Sequence, residues 1–145
     1  MREKALSLLG LMRRARAIEP GEMNTGSAVR GGKAKLLLLA SDASDNARRR
    51  AETFAYGRRV ITLELPFTKA ELAGCLGTGE CAMAAVTDLG FAVGLTELLE
   101  QMDPERYGPA AEELRRRREK AERRKKETSD QRSNKRTTGK RRTNG

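Results

Sequence analysis

Gly-Gly-Lys-Ala-Lys-Leu-Leu-Leu-Leu-Ala-Ser-Asp-Ala-Ser-Asp, residues 31–45, places four consecutive leucines between a pair of glycines and a Ser/Asp-rich segment. An apolar run this short, bounded by turn residues, is typical of a strand covered on both faces, as in parallel or mixed sheets. A buried helix segment has the same hydropathy, but residues 35–40 are too few for a core helix. Gly31 and Gly32 also favour a helix end just before them. The stretch therefore predicts one central strand in a layered α/β domain.

The segments around this strand alternate between helical and strand patterns. Helices are predicted over residues 3–13, 20–30, 45–55, 69–76 and 89–101, and strands over residues 59–65 and 81–87. Pro20 is expected in the first turn of its helix, where its missing N–H would have no helical partner; extra strand pairing is allowed around residues 17–19. Gly26 predicts either helix packing or close approach of another backbone or a ligand. Strands alternating with helices predict an α/β fold, a three-layer α/β/α sandwich with a mixed sheet.

Polar residues at the predicted helix starts match capping patterns. Ser44 or Asp42 can cap the helix after the leucine strand, and Thr68 with Glu71 predicts a capping box. Asp42 also lies just past the central strand, where α/β enzymes often place catalytic groups, but capping accounts for it. Neither glycine-rich stretch has the spacing of a nucleotide-binding fingerprint. No activated nucleophile or carboxylate pair stands out, so the sequence favours a non-enzymatic protein.

The composition excludes several kinds of site. The 145 residues include no His and two Cys, so Ser-His and Cys-His nucleophiles and His-ligated zinc are excluded. Cys75 and Cys81 match no metal or redox motif and are expected to be small buried residues of a reducing compartment. No apolar stretch has the length of a membrane span or the pattern of a secretory signal. We expect a cytoplasmic protein without cofactor or metal, and without a membrane or small-molecule partner.

The net charge of +10 is concentrated at the C-terminus. Residues 111–145 contain 15 basic and 6 acidic residues, and Leu114 is their only large apolar side chain. Such a segment cannot bury enough surface to offset its ordering entropy. We therefore predict a folded domain over residues 1–106 and a charged tail over residues 107–145. Acid–base spacing predicts a solvated helix over residues 112–127, and disorder over residues 128–145.

Basic residues recur at predicted helix ends and loops of the domain. Arg13 and Arg14 precede a turn, and Arg30, Lys33 and Lys35 flank the start of the central strand. Side chains at such positions reach phosphates without disturbing the core. The chain has only five aromatic residues, so base stacking on an exposed aromatic platform is not expected. The sequence predicts binding of structured RNA, with the tail adding attraction that is independent of sequence.

Ordered segments carry a resemblance to a known family. They are Leu-Gly-Leu-Met-Arg-Arg-Ala, Pro-Gly-Glu, Thr-Lys-Ala-Glu-Leu-Ala-Gly-Cys-Leu-Gly, Ala-Ala-Val-Thr-Asp-Leu-Gly-Phe-Ala and the stretch around the leucines, at residues 9–15, 20–22, 68–77, 84–92 and 28–44. Together they resemble the ribosomal protein superfamily named for the archaeal large-subunit proteins seven-Ae and thirty-e, in its small bacterial form. The resemblance covers about residues 3–99. It implies a partner in ribosomal or other structured RNA, with kink-turn RNA held by the start of the second helix and the loop before the last strand.

Carried over by position, the helix start falls on residues 21–27 and the loop on residues 77–81. Strong kink-turn binders have Gly-x-Asn-Glu-x-x-Lys, and this chain has Gly21 with Met23, Asn24 and Ser27 at the last three named places. Ser27 thus lacks the lysine charge, and Met23 lacks the amide. The predicted RNA-binding residues are Arg13, Arg14, Gly21, Glu22, Asn24, Thr25, Ser27, Arg30, Lys33, Lys35, Gly77, Thr78, Gly79, Glu80 and Cys81.

Two alternatives to a ribosome-associated RNA binder stay open at this point. Similar folds serve as substrate-binding parts of RNA-modifying enzymes, so the chain can be an accessory domain for a separate catalytic partner. It can also be a protein-interaction adaptor that docks on an acidic partner through the charged helix over residues 112–127.

Overall fold

The computed structural model describes residues 1–144, and the side chains of residues 1–131. The elements follow one another in the order α1 (Arg2–Arg14), β1 (Ile18–Pro20), α2 (Glu22–Arg30), β2 (Leu36–Leu39), α3 (Asp45–Ala55), β3 (Ile61–Glu64), α4 (Lys69–Leu76), β4 (Met83–Val86), α5 (Leu89–Met102) and α6 (Pro104–Asn144).

The strands form one mixed sheet in the order β1-β4-β2-β3. β2 runs parallel to β3 and antiparallel to β4, and β4 runs antiparallel to β1. All four leucines of β2 are buried, and their neighbours Ala84 and Ala85 of β4 are buried beside them. α2 and α3 pack together on one face of the sheet, whereas α1, α4 and α5 pack on the other. The predicted three-layer α/β/α sandwich with a mixed sheet is confirmed.

Pro20 is the last residue of β1, so the prediction that it begins the second helix is wrong. β1 is an edge strand paired only with β4, and Pro20 lies opposite Ala84. An edge strand tolerates proline because an N–H on its outer side has no ladder partner to lose. Gly21 turns the chain into α2 with a φ of +95°, a conformation that favours glycine.

Of the two residues that the sequence offers as a cap for the helix after the leucine strand, the structure uses Ser44. Ser44 Oγ accepts from Ala47 N at 3.1 Å and caps α3. Asp42 instead caps α4, because its Oδ1 accepts from Lys69 N at 2.8 Å. The capping box of Thr68 and Glu71 is present as predicted. The first turn of α4 is therefore held both by its own residues and by the loop after β2.

The start of α6 belongs to the hydrophobic core. Its buried residues are Tyr107, Ala110, Ala111 and Leu114, at helical spacings of three and four, and they face α5. The Tyr107 hydroxyl donates to the carbonyl of Glu64 at 2.7 Å. The packed body therefore continues to Leu114, although the division into domains at residue 106 stays a prediction.

The part of α6 after Leu114 is more ordered than the sequence predicts. The helix continues to Asn144, where the sequence predicts disorder from residue 128 onward. Adding residues to an existing helix costs less than starting one, so a weak helix former can extend a helix nucleated in the core. Gly145 lies outside the described residues. Within the part of the chain that the structure describes, no helix combines the length and apolarity needed to cross a membrane.

Leu114→Ala tests how far the packed body extends. Leu114 is fully buried, so its truncation is expected to lower the free energy of unfolding by about 2–5 kcal/mol. Lys125→Ala, at an exposed position of the same helix, is expected to stay within about 0.5 kcal/mol. Urea unfolding of both variants measures the difference. Equal effects would place the end of the core before Leu114.

Glu64 joins the two helical layers at the edge strand β3. Its carboxylate forms ion pairs with Arg48 of α3 and Arg106 of α6. Arg48 also donates to the carbonyls of Ser41 and Ala43, which fixes the loop between β2 and α3. The Arg48 guanidinium, with a smaller contribution from Arg106, holds the pKa of the Glu64 carboxyl below its ordinary value.

Glu64→Gln is expected to lower the free energy of unfolding at pH 7 by about 1 kcal/mol, because two partly exposed ion pairs are lost. A carboxyl with a lowered pKa in the folded state stabilises the fold above its unfolded pKa. The stabilisation disappears as the pH falls through this lowered pKa. Urea unfolding at several pH values should show the difference from wild type vanishing in acid. Glu52→Gln, at an exposed position of α3, is the control, and an equal pH dependence in both variants would contradict this role.

Candidate nucleic-acid interface

Three helices begin at one end of the sheet. The strand directions put the carboxyl ends of β1, β2 and β3 at this end, together with the start of β4. α2, α3 and α4 follow β1, β2 and β3 directly, so their N-termini gather there. This end of an α/β sheet is where ligands commonly bind.

The structure brings together the two segments that the family resemblance singles out. Gly21 N–H donates to the carbonyl of Met83 at 2.9 Å, which fixes the start of α2 beside the loop that leads into β4. Ala40 N–H donates to the carbonyl of Ala82 at 2.9 Å, so the loop after β2 lies against the same segment. We call the resulting surface, made of Gly21, Glu22, Met23, Asn24, Ser27 and residues 77–80, the α2-start surface.

The N-terminus of α2 differs from its two neighbours in having no side-chain cap among the described residues. Ser44 caps α3, whereas Thr68 and Asp42 cap α4. The N-cap of α2 is Gly21, which has no side chain to accept from the first-turn N–H groups. Unsatisfied N–H groups and the helix dipole attract an anion such as a phosphate. Of these three helix starts, α2 is the one left open to a ligand.

The exposed side of α2 offers both polar and apolar contacts. Asn24 and Ser27 are exposed, and Asn24 Nδ2 donates to the carbonyl of Pro20 at 2.9 Å. This hydrogen bond orients the Asn24 amide at the helix start. Met23 is 85% exposed, although a large apolar side chain usually avoids water. The sequence carries a signal for this exposure, because Met23 is out of phase with the buried stripe of Thr25, Ala28 and Val29.

The charged side chains of the α2-start surface are paired with opposite charges. The carboxylate of Glu22 lies 2.7 Å from the guanidinium of Arg50 in α3. Glu80, in the loop before β4, lies 3.2 Å from the ammonium of Lys69 at the start of α4. Both acidic residues are thereby compensated, so the surface does not present an uncompensated negative charge to RNA.

Two predicted contact residues, Thr25 and Cys81, are buried and are removed from the candidate surface. Thr25 is completely buried in α2. Cys81 is also buried, its Sγ donates to the carbonyl of Met83 at 3.2 Å, and burial raises the pKa of its thiol. Cys75 is half-buried, and both thiols are free. Within the described residues, no group of three or more His, Cys, Asp and Glu side chains is placed to hold a metal ion.

The remaining predicted residues are exposed but lie at the opposite end of the sheet. Lys35 N–H donates to the carbonyl of Val86 at 2.7 Å, so Lys35 and its neighbours Lys33 and Arg30 lie where β4 ends. Arg13 and Arg14 end α1 just before β1 begins, in the layer on the other face. The candidate residues therefore form more than one surface, and of them only Gly21, Glu22, Asn24, Ser27 and residues 77–80 belong to the α2-start surface.

Gly26 is explained by packing between α2 and α3. A Cβ at this position would lie 2.8 Å from Cζ of Phe54, closer than real contacts allow. Of the two options that the sequence left open, helix packing is confirmed. The close contact lets α2 lie flat against α3, which sets the position of Asn24 and Ser27 relative to the sheet.

Gly26→Ala is expected to lower the free energy of unfolding by about 1 kcal/mol. Overpacking costs about 1–3 kcal/mol, and the higher helix propensity of alanine returns about 1 kcal/mol. Gly74→Ala in α4 is the matched control, because no atom lies within 4 Å of its added Cβ. This control should raise the free energy of unfolding by about 0.5–1 kcal/mol. Thermal or urea unfolding that shows the same sign for both variants would contradict the packing role of Gly26.

Comparison with known sequences identifies two similar proteins. The chain is 34% identical over 99 residues to the RNA-binding protein YlxQ of Enterococcus faecium, covering 68% of this chain and 94% of that protein. It is 35% identical over 97 residues to the RNA-binding protein YlxQ of Bacillus subtilis, covering 64% of this chain and 92% of that protein. A scan against models of protein families gives no match.

Solved structures share the fold. A Bacillus halodurans protein of unknown function superposes with a TM-score of 0.61 at 30% identity, over 67% of this chain and 97% of that chain. The Giardia lamblia 15.5kD RNA binding protein superposes with a TM-score of 0.51 at 17% identity, over 70% of this chain and 82% of that chain. The second likeness concerns the fold alone.

Proposed function

Because the chain belongs to the family of the RNA-binding protein YlxQ, we propose that it binds folded RNA, without catalysing a reaction, through the α2-start surface. The observation that carries the proposal is the hydrogen bond from Gly21 N–H to the Met83 carbonyl. This bond joins an uncapped helix N-terminus to the loop before β4. One RNA can then contact the N–H groups of α2 and the loop backbone together.

The available groups suit a folded RNA better than a regular duplex. First-turn N–H groups of α2 can donate to a phosphate, and the amide of Asn24 can reach a base edge. The exposed Met23 side chain offers an apolar contact for an unstacked base. Gly77 and Gly79, both exposed, permit close approach of the loop backbone.

We propose kink-turn RNA, in ribosomal RNA or a similar context, as the preferred target. The support is the ordered resemblance to the seven-Ae and thirty-e superfamily, whose contact segments fall on residues 21–27 and 77–81. Since Met23 and Ser27 replace an amide and a lysine of the strong binders, we expect weaker binding than theirs. Selectivity for the kinked shape should still be measurable.

Ser27→Glu tests the proposed surface. An added carboxylate on the exposed side of α2 should repel phosphates and weaken binding roughly tenfold or more, since like-charge contacts cost several kcal/mol. Ser7→Glu in α1, an exposed serine in the layer on the other face of the sheet, makes the same change in net charge. Fluorescence anisotropy with a labelled kink-turn stem and an unkinked duplex of equal length, over a salt titration, measures both effects.

The expected result is a preference of the wild type for the kink-turn stem and a loss confined to Ser27→Glu. Equal losses in the two variants would reject the α2-start surface as the binding site. If neither RNA binds even at low salt, the proposal of RNA binding itself fails. Circular dichroism of each variant confirms that the fold is retained.

A further inference from the structure

A positively charged surface lies at the opposite end of the sheet from the α2-start surface. It is a groove of about 530 Å³ between the loop that follows α2, the segment before β3 and one side of α6. We call it the basic groove. Its charged lining residues are Lys35, Arg58, Arg59, Arg117, Lys120 and Arg124.

Two of these cations hold the groove in shape. Arg58 Nη1 donates to the carbonyl of Val29 at 2.9 Å, at the C-terminal end of α2. Arg117 Nη1 donates to the carbonyl of Arg59 at 2.6 Å, and its Nε donates to Glu113 at 3.0 Å. Arg58 therefore fixes the segment before β3 to α2, and Arg117 fixes α6 to the same segment. The walls of the groove are tied together by hydrogen bonds within the chain.

The other four cations of the basic groove are available to a ligand. Within residues 1–131, Lys35, Arg59, Lys120 and Arg124 form no ion pair. No acidic residue lines the basic groove, and its floor is apolar, with Val29, Val60 and Leu89. Glu113 and Glu127 lie in the adjoining depression along α6. Like charges gathered in a concave, partly apolar site attract a polyanion more strongly than the same charges spread over a surface.

We propose that the basic groove is a second RNA site, which binds backbone phosphates of the RNA held at the α2-start surface. This inference rests on the proposed function. α2 has nine residues and is about 13 Å long, and its exposed Asn24, Ser27 and Arg30 lead from one site towards the other. A stem of modest length can therefore reach both sites of one molecule.

RNA fits the groove better than an acidic protein partner does. Arginine forms bidentate hydrogen bonds to phosphate, and two of the four unpaired cations are arginines. Tyr56, which is 88% exposed, stands in the same turn as Arg58, whose N–H donates to the carbonyl of Ala55. An exposed aromatic ring beside a line of cations is typical of nucleic-acid sites, where it stacks on an unpaired base.

The test compares two full-length double variants of α6 with identical composition changes. Lys120→Gln/Arg124→Gln removes two charges from the groove, and Arg118→Gln/Lys125→Gln removes the same two residue types from outside it. Affinities for the kink-turn stem and the unkinked duplex are measured over a salt titration. The groove variant should lower the slope of log K against log[salt] by about 1.4–1.8, because each phosphate contact contributes about 0.7–0.9.

The control variant is expected to change the slope by less than half as much. Preference for the kink-turn stem over the duplex should be retained in both variants, because phosphate contacts carry no shape information of their own. Equal slopes in the two variants would overturn the groove while leaving the proposed function intact. The groove proposal would also be overturned if the groove variant lost its preference for the kink-turn stem while its salt slope stayed unchanged. An RNA affinity that neither variant changes, with capture of an acidic protein by wild type alone, would assign the groove to a protein partner.

Discussion

Burial of Leu36–Leu39 on both faces of the sheet is the constraint on which the structure depends. A strand without a polar face needs a helical layer on each side, and the chain supplies α2 and α3 on one face and α1, α4 and α5 on the other. Because β1, β2 and β3 run in the same direction, the helices that follow them begin at the same end. The core therefore gathers three helix N-termini, and the sequence of each cap decides which of them remains open.

Local signals in the sequence were sufficient for most elements. The capping box at Thr68 and Glu71 and the leucine run each involve residues within a few positions of one another, and both are confirmed. The prediction for Pro20 is wrong because proline suits both a first helical turn and the end of an edge strand. Only the pairing of β1 with β4, which joins distant parts of the chain, decides between them. The apolar residues from Tyr107 to Leu114 have helical spacing in the sequence, but the many charged residues around them make this pattern weak.

The candidate site also depends on contacts between distant parts of the chain, which the sequence does not reveal. Residues 21–27 and 77–81 could be named from the resemblance, but the sequence could not separate them from Lys33 and Lys35. α2 runs back along the sheet and Gly32, with a φ of +70°, turns the chain into β2, so residues close in sequence lie at opposite ends. The burial of Thr25 and Cys81 could likewise not be predicted from the sequence, because threonine and cysteine occur both in cores and at surfaces.

This separation has a physical consequence for the proposed function. At the α2-start surface, Glu22 and Glu80 are paired with Arg50 and Lys69, so the proposed RNA contact there would depend on shape and hydrogen bonds more than on net charge. The surplus cations lie elsewhere, in the basic groove and along α6. A strongly cationic recognition surface would hold any phosphate backbone and would mask differences in RNA shape. Under the proposed function, keeping the two kinds of contact apart would allow charge to raise affinity while the compensated surface discriminates between RNA shapes, and the nine residues of α2 set the distance between the two surfaces.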